Sequence, residues 1–322
     1  MAPAVSVIVP AWNTRAWIGE ALASLTRQTF ADFEAVVVDD ASTDGTAEVV
    51  EACGDPRVRL IRMPVNGGAA IARNTALAHA RGQWIALLDS DDWYGPRRLE
   101  RLVGEAERLD ADLVADDILY VRDGETAPWS SLFARSGATF TQPEWIDAAR
   151  FVATDVYAGR GLQLGLSKPL MRAAFLREKG LRYQPELRLG QDYWLYLDCL
   201  VRGARFALIP EGHYHYRARP GSLVRQSQAV RLDGYCRAGD AFLRRDDVQA
   251  DRALVAAMRR HLANVRAWRA YYRVVEPLKR REWTAAAAAA ARNPGFVSRA
   301  LRRAGGAALR RVGAAAPVSD AA

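Results

Sequence analysis

Residues 84–92 read Trp-Ile-Ala-Leu-Leu-Asp-Ser-Asp-Asp, an apolar run that ends in three carboxylates within four residues. An apolar run of about five residues between polar segments is typical of a buried strand. Two earlier runs have the same form: residues 5–9 precede Pro10-Ala-Trp-Asn13, and residues 34–38 precede Asp39-Asp40. Ligands of open α/β sheets bind at the carboxyl ends of the strands. The three polar clusters are therefore predicted to converge on one edge of a sheet.

Segments with helical spacing separate these strands, which predicts an α/β fold with a mostly parallel central sheet. The other elements predicted in the first 110 residues are a strand at 58–61 and helices at 15–29, 46–52, 68–80 and 96–109. The middle of the chain is less regular, with strands predicted at 113–115 and 206–209 and helices at 143–152, 171–179 and 191–201. From about residue 224 the pattern is helical, with segments at 251–274 and 298–312.

The positive charge of the chain is concentrated in its C-terminal quarter. Residues 1–249 carry 30 Lys+Arg against 33 Asp+Glu, whereas residues 250–322 carry 15 against 4. With a body that is not basic and no recognised nucleic-acid motif, the sequence predicts no nucleic-acid partner. Residues 296–312 are predicted to contact an anionic membrane surface. The alternative is a solvated helical cap whose arginine stems cover apolar surface.

Cysteine usage and hydropathy predict the compartment. Three scattered cysteines argue for a reducing environment and against a disulfide scaffold or a thiolate zinc site. No signal-peptide pattern is present, and no apolar stretch reaches roughly 18 residues. We expect a cytoplasmic protein, peripheral on the inner face of the cell membrane.

The acidic cluster at 89–92 has two readings. Carboxylates this close repel one another unless a cation or strong donors lie among them. Mg²⁺ and Mn²⁺ take carboxylate oxygens and complete their shells with waters and phosphates, so the cluster indicates a metal–diphosphate site. The alternative is a polar strand end that caps the next helix.

The segment Asp39-Asp-Ala-Ser-Thr-Asp-Gly-Thr46 also has two readings. One carboxylate could accept a hydrogen bond from a base N–H, as in recognition of uracil, or the segment could only cap a helix. No G-x-G-x-x-G and no P-loop motif follows any strand. Dinucleotide-binding and P-loop proteins are therefore disfavoured.

Four motifs together resemble the family 2 glycosyltransferases, which have the GT-A fold. They are Val5-Ser-Val-Ile-Val-Pro-Ala-Trp-Asn13, Val36-Val-Val-Asp-Asp-Ala-Ser-Thr-Asp-Gly-Thr46, Gly68-Ala-Ala-Ile-Ala-Arg-Asn74 and Leu87-Leu-Asp-Ser-Asp-Asp92. Their order and spacing match over about the first 110 residues. The match resumes at Gly190-Gln-Asp-Tyr-Trp194 and Tyr214-His-Tyr-Arg217.

The resemblance implies a role for each matching residue. A nucleotide pocket would be lined by Pro10, Trp12 and Asn13, with Trp12 standing where the family usually has tyrosine. Nucleotide-sugar contacts would come from Asp40 to the base edge, Arg73 to the base or ribose, and Asp89 near the ribose. The metal, Mn²⁺ or Mg²⁺, would be bound by Asp91 directly and by His215, although His215 could equally be a core-edge histidine.

The resemblance also implies a catalytic base and a reaction. Asp192 would remove the proton of the acceptor hydroxyl; the family often has Glu-Asp here, and this chain has Gln191-Asp192. The reaction would be inverting transfer from a nucleotide sugar, by default a UDP-sugar, to a glycan or lipid-linked acceptor in cell-surface or exopolysaccharide synthesis. Residues 1–222 would form the GT-A domain, with a nucleotide-binding half 1–110 and an acceptor half 111–222. Residues 223–322 would form a basic helical extension.

Two other classes are weighed against this function. A nucleotidyltransferase acting on a sugar phosphate also uses a nucleotide and Mg²⁺, but we expect it to have a glycine-rich loop after the first strand. Residues 10–15 instead read Pro-Ala-Trp-Asn-Thr-Arg. A non-catalytic glycan-binding scaffold is disfavoured because Asp89, Asp91 and Asp192 are present.

Overall fold

The computed structural model describes residues 2–218, 227–293 and 296 of the chain. Within them, ten strands belong to one sheet. The strands are β1 (Val5–Ala11), β2 (Phe33–Asp39), β3 (Val58–Arg62), β4 (Trp84–Leu87), β5 (Trp93–Tyr94), β6 (Leu113–Arg122), β7 (Ser130–Ser131), β8 (Glu144–Ile146), β9 (Leu170–Arg172) and β10 (Phe206–Ala218).

Helices cover and extend this sheet. They are α1 (Ile18–Thr26), α2 (Thr46–Glu51), α3 (Ala69–His79), α4 (Arg98–Leu109), α5 (Leu132–Ser136), α6 (Ala148–Thr154), α7 (Ala173–Glu178), α8 (Gln191–Val201), α9 (Gln228–Phe242), α10 (Asp246–Gln249), α11 (Arg252–Lys279) and α12 (Trp283–Ala291). A single-turn 3₁₀ helix, Leu164–Leu166, precedes β9.

The sheet is mostly parallel. Its order is β3-β2-β1-β4-β9-β6-β10-β5, with β7 added at β6 and β8 at β10. The pairs β3/β2, β2/β1, β1/β4 and β6/β10 are parallel. Because β4 and β6 are both antiparallel to the short strand β9, they run in the same direction as each other. The carboxyl ends of all six long strands therefore lie at one edge, as predicted.

The burial of the central strands explains why the first half of the chain was readable. Every residue of β2 and β4 is buried, and β1 is buried except at Pro10. Helices on the faces of the sheet require such continuous apolar runs. The predicted strands and helices of residues 1–110 are confirmed, with boundaries that move by up to three residues.

Several predictions for the middle of the chain were wrong in detail. The helix predicted at 143–152 is β8 followed by α6, and the helix predicted at 171–179 is β9 followed by α7. The strand predicted at 206–209 continues to residue 218, because its second half alternates half-exposed and buried polar residues rather than forming an apolar run. Register shifts interrupt its pairing with β6 around Gly212.

The C-terminal helices pack against the sheet domain. Tyr193 of α8 stacks on His261 of α11, with ring centroids 5.3 Å apart, and Trp194 contacts Tyr235 of α9 at 5.1 Å. Helix α11 continues past Pro277, which was predicted to end it. The predicted helix 298–312, and all but residue 296 of the predicted membrane segment, lie outside the described residues. The division of the chain at residues 222/223 stays a prediction.

Among the helices that the structure describes, none has the length and apolar character needed to cross a membrane.

Candidate active site

The ends of β1 and β2 form one connected surface. The backbone N–H of Asn13 donates to Ser42 Oγ at 2.9 Å, and Asn13 Oδ1 accepts from the Thr43 N–H at 2.9 Å. Asn13 has a φ of +51°, which asparagine tolerates better than most residues. Trp12, beside it, is 52% exposed, so a face of its ring is accessible to a stacking ligand. Pro10 lies in β1 directly beneath this surface.

Asp39 and Asp40 differ in their hydrogen bonding. Both oxygens of Asp40 accept backbone N–H groups, from Gly67 and Gly68, each at 2.7 Å. Asp39 accepts only from the Ser42 N–H, at 3.3 Å, through Oδ2. Its Oδ1 is buried and has no hydrogen-bond partner among the described residues. A buried acceptor without a donor is costly, so Asp39 Oδ1 is better placed than Asp40 to receive a ligand N–H.

The loop at 89–92 is held by β10. Tyr214 Oη donates to Asp92 Oδ2 at 2.7 Å and accepts from the Asp89 N–H at 3.2 Å. The backbone N–H of Arg217 donates to Asp92 Oδ1 at 2.8 Å, and its guanidinium donates to the Asp91 carbonyl at 2.8 Å. Burial, with the charges of Asp91 and Asp89, raises the pKa of Asp92 well above its ordinary value. The loop is therefore fixed while its negative charges remain incompletely balanced.

Two cations and two carboxylates form a buried cluster beside this loop. Lys168 Nζ lies 2.8 Å from Asp89 Oδ2 and 2.6 Å from Asp192 Oδ2. Arg73 Nη2 lies 2.8 Å from Asp89 Oδ1, and its Nη1 lies 3.2 Å from Asp192 Oδ1. Burial alone would raise the pKa of Asp89, but Lys168 and Arg73 hold it well below its ordinary value. We name Arg73, Asp89, Lys168 and Asp192 the ion cluster.

The ion cluster brings together residues that are far apart in the sequence. Asp89 follows β4, Arg73 lies on α3, and Asp192 is in the first turn of α8, where a helix dipole favours a carboxylate. Arg73 also donates to Gln191 Oε1 at 3.1 Å. Its guanidinium is thus directed at carboxylates and not at the β1–β2 surface, which does not support the predicted contact with base or ribose.

Asp192 keeps one oxygen for a proton. Its Oδ2 accepts from Lys168, whereas Oδ1 has an ion-pair distance to Arg73 without hydrogen-bond geometry. Oδ1 is buried and has no hydrogen-bond partner within the part of the chain that the structure describes. The side chain is 11% exposed. A hydroxyl group that reaches Oδ1 would complete its hydrogen bonding, which is the geometry a general base requires.

Lys168 was missed in the sequence. It stands alone before Pro169 in a segment without periodic pattern, and it has a φ of +49°. Its carbonyl accepts from Arg98 Nη2 at 2.8 Å, and Arg98 is a fully buried partner of Asp116, at 2.8 Å. The Asp192 and Asp89 carboxylates raise the pKa of Lys168 although burial opposes them, so the side chain stays charged. Only the fold could reveal this residue.

His215 is not brought to the acidic loop. Its ring stacks on Trp93, with centroids 5.2 Å apart and planes 7° apart. Burial lowers its pKa, and the charges that act on it most strongly include Asp116 and not the 89–92 carboxylates. Successive side chains of a strand point to opposite faces, and the preceding residue, Tyr214, is the one that reaches Asp92. The prediction of His215 as a metal ligand is therefore not supported.

The residues present fit a divalent cation held by few protein ligands. Within the described residues, no three His, Cys, Asp or Glu side chains are grouped as a complete metal site. Mg²⁺ and Mn²⁺ commonly use one or two carboxylates and take their other ligands from waters and substrate phosphates. Asp89 is bound by two cations and Asp92 is buried, whereas Asp91 is half-buried in the same loop. Asp91 would hold the cation.

Comparison with known proteins gives the same picture. The family model described as "Glycosyl transferase family 2" matches residues 6–160. The succinoglycan biosynthesis protein ExoO of Rhizobium meliloti (strain 1021) is 35% identical over 313 residues, which cover 97% of this chain and 88% of that protein.

Two solved structures have a similar fold. S. aureus TarS 1–349 in complex with UDP-GlcNAc superposes with a TM-score of 0.65 at 24% identity, covering 82% of this chain and 73% of that one. The mannosyltransferase PcManGT from Pyrobaculum calidifontis, in complex with GDP-Man and Mn²⁺, gives 0.55 at 22% identity, covering 95% and 80%. These likenesses confirm the α/β fold of the GT-A type.

Proposed function

The chain belongs to glycosyl transferase family 2, and from that premise we propose that it transfers a sugar from a nucleotide-sugar donor to an acceptor hydroxyl with inversion. The observation that carries this proposal is the ion cluster. Lys168 and Arg73 each contact both Asp89, which begins the acidic loop, and Asp192. The candidate base is thereby held next to the loop at which the donor diphosphate would bind.

We infer that the nucleotide lies over the ends of β1 and β2. Trp12 would stack on the base, and Asp39 Oδ1 would accept a base N–H, while Asp40 fixes the Gly67–Gly68 backbone. Uracil has an N–H that suits such an acceptor, so UDP is the nucleotide proposed. Asn13 and Pro10 shape the surface rather than contact the base through a free polar group.

The transfer is written as one displacement. The acceptor hydroxyl donates its proton to Asp192 Oδ1 as its oxygen forms a bond to the anomeric carbon from the face opposite the diphosphate. The bond between the anomeric carbon and the diphosphate oxygen breaks with its electron pair, and the nucleoside diphosphate leaves. Lys168 and Arg73 keep the Asp192 carboxylate oriented during the transfer. A Mn²⁺ or Mg²⁺ ion at Asp91 would supply positive charge for the leaving group.

The acceptor is proposed to be a glycan or a lipid-linked saccharide in the synthesis of a cell-surface polysaccharide. The relative ExoO is named for succinoglycan biosynthesis, and the similarity covers 97% of this chain. The identities of the sugar and of the linkage depend on residues 111–222, where no sequence motif names them.

The first test is calorimetric titration of UDP, GDP and dTDP with and without Mn²⁺, on the wild type and on Asp91→Ala. We expect metal-dependent binding of UDP to the wild type and a loss of the metal dependence in the variant. Absence of binding of any nucleotide to the wild type would contradict the proposed function and favour a non-catalytic scaffold. Release of pyrophosphate from a nucleoside triphosphate would instead indicate a nucleotidyltransferase.

A further inference from the structure

Three aromatic rings form a continuous path from the acidic loop to the surface. Tyr216 on β10 is the register partner of Tyr120 on β6, and their ring centroids lie 5.6 Å apart. Tyr120 contacts Trp129 at 6.1 Å, and the Trp129 N–H donates to the Tyr120 carbonyl at 2.9 Å. We name Tyr216, Tyr120 and Trp129 the ring path.

The inner end of the ring path lies at the acidic loop. Tyr214, two residues before Tyr216 on the same face of β10, has its hydroxyl 2.7 Å from Asp92. Burial and the charges of Asp92 and Asp91 raise the pKa of Tyr216, which places its hydroxyl close to that loop. The outer end is accessible, because Trp129 is 44% exposed.

Positive charge accompanies the outer end of the ring path. The guanidinium carbon of Arg135 lies 5.1 Å from the Tyr120 centroid and 5.4 Å from the Trp129 centroid. Arg122 lies 5.7 Å from Trp129 and pairs with Glu125 at 3.3 Å. Arg135 is exposed, and within residues 2–218, 227–293 and 296 it forms no ion pair with a carboxylate. One cation beside the rings is thus left for an anionic ligand.

The sheet order separates this surface from the proposed nucleotide site. The strands β1 and β2 lie on one side of β4, whose end carries the acidic loop, and β6 and β10 lie on the other side. If the nucleotide lies over β1 and β2, a molecule that approaches the acidic loop from the other side is the second substrate.

We propose that the ring path and Arg135 bind the acceptor, a saccharide that carries an anionic group. Aromatic faces bury the apolar faces of sugar rings, and a guanidinium binds a carboxylate or phosphate with charge-assisted hydrogen bonds. The anionic group is either an acidic sugar or the diphosphate of a lipid-linked saccharide, since both offer the same chemistry to Arg135. This inference rests on the proposed glycosyl transfer.

The test is calorimetric binding of three probes to the full chain in the presence of UDP and Mn²⁺. The probes are a trisaccharide with a terminal uronate, its carboxyl-reduced neutral counterpart, and glucose linked to a short prenyl diphosphate. We expect Trp129→Ala to weaken the binding of the anionic probes about tenfold or more, and Arg135→Gln to weaken only the anionic probes. The anionic probe more affected by Arg135→Gln identifies the source of the charge.

A matched control comes from the other end of the sheet. Trp145 is 46% exposed, and the guanidinium carbon of Arg205 lies 5.0 Å from its ring centroid, next to the start of β10. Trp145→Ala and Arg205→Gln should leave probe binding unchanged. Thermal unfolding of each variant checks that it is folded.

Three results would overturn the proposal. They are wild-type probe affinity in Trp129→Ala, failure of the wild type to bind any probe, and loss of vesicle binding in Trp129→Ala with unchanged saccharide affinity. The last would identify a membrane contact, measured with vesicles of 30% phosphatidylglycerol in phosphatidylcholine. UDP binding separates this failure from failure of the proposed function, because it depends on β1 and β2 and should persist in Trp129→Ala and Arg135→Gln.

Discussion

Asp39 and Asp40 are neighbours in the sequence with different surroundings in the fold. Two adjacent carboxylates at a strand end cannot be told apart from sequence, because the choice depends on which face of the strand each side chain meets. The sequence predicted Asp40 as the base contact, but Gly67 and Gly68 occupy both of its oxygens. Asp39 Oδ1 is the acceptor left without a donor among the described residues.

The two aspartates therefore predict different phenotypes. In Asp39→Asn, the amide oxygen would keep the Ser42 N–H, and the NH₂ group would face the base N–H. We expect UDP affinity to fall about tenfold or more, about 1.4 kcal/mol, without loss of stability. In Asp40→Asn, one backbone N–H loses its acceptor, and we expect a loss of roughly 1–3 kcal/mol in the free energy of unfolding. Calorimetry and denaturant melts measure the two effects, and the opposite assignment would restore Asp40 as the contact.

Asp192 was predicted as the base from sequence, and its test is a separation of binding from turnover. Asp192→Asn keeps the size of the side chain but cannot accept the hydroxyl proton. We expect the rate of transfer to fall about 10²–10⁴-fold, the range of general-base contributions. UDP binding should change little, because the residue is not on the β1–β2 surface. Transfer at the wild-type rate in this variant would remove Asp192 from the mechanism.

At the scale of elements, the short segment between the 3₁₀ helix and β9 has a consequence for catalysis. It carries Lys168, whose ammonium lies between Asp89 and Asp192. Lys168→Met would leave two carboxylates with only Arg73, and the displaced base should reduce the turnover number about 100-fold. Lys168→Arg should recover part of it. Steady-state kinetics with varied donor and acceptor would show a change in turnover larger than the change in either Michaelis constant.

A control for Lys168 is another buried cation with a carboxylate partner. Arg98 pairs with Asp116 and is fully buried, yet it contacts neither Asp192 nor Asp89 through a charged group. Breaking such a pair costs roughly 3–5 kcal/mol of stability. If Lys168→Met and Arg98→Met lose stability alike and Lys168→Met retains its turnover per folded molecule, Lys168 has only a structural role.

Helices α6, α8, α9 and α11 meet at a titratable group. Burial raises the pKa of Asp155, just after α6, to about 7, and its charge also acts on Tyr193 and Tyr235. In an unfolded chain an aspartate has a pKa of about 3.9. Between these values the folded protein binds more protons, so the free energy of unfolding should fall as the pH rises from about 4 to about 7 and then level off.

Asp155→Asn removes this source of pH dependence. Denaturant melts at pH 5, 6, 7 and 8 should show a smaller loss of stability between pH 5 and 7 in the variant than in the wild type. The same slope in both proteins would show that Asp155 is ionised in the fold across this range.

The elements also show what sequence patterns can supply. Buried parallel strands such as β1 and β2 are continuous apolar runs, and their ends predicted the polar clusters correctly. Strands such as β8 and β9 have three residues each, too few for a periodic pattern, and both were read as parts of helices. Lys168 precedes the second of these strands, which is why the ion cluster was only half predicted.

At the scale of the whole molecule, the charge asymmetry gives a prediction about membranes. Residues 250–322 carry 15 Lys+Arg against 4 Asp+Glu. Deletion of residues 296–322 should reduce binding to anionic vesicles, and the reduction should be larger at low salt because the attraction is electrostatic. Co-sedimentation with vesicles measures it, with neutral vesicles as the control. Equal co-sedimentation of the two proteins would leave the solvated helical cap as the remaining interpretation.

The packing of α8 against the C-terminal helices bears on how such proteins can be recombined. The base lies one residue before Tyr193, which stacks on His261 of α11, and a Cβ at Gly190 would meet the Tyr235 ring of α9 at 2.6 Å. A chimaera that exchanged residues 111–222 alone would pair one parent's base helix with the other parent's supports. The heritable unit of acceptor choice would then extend to residue 293, and crossovers placed before β6 should outlive those placed after β10.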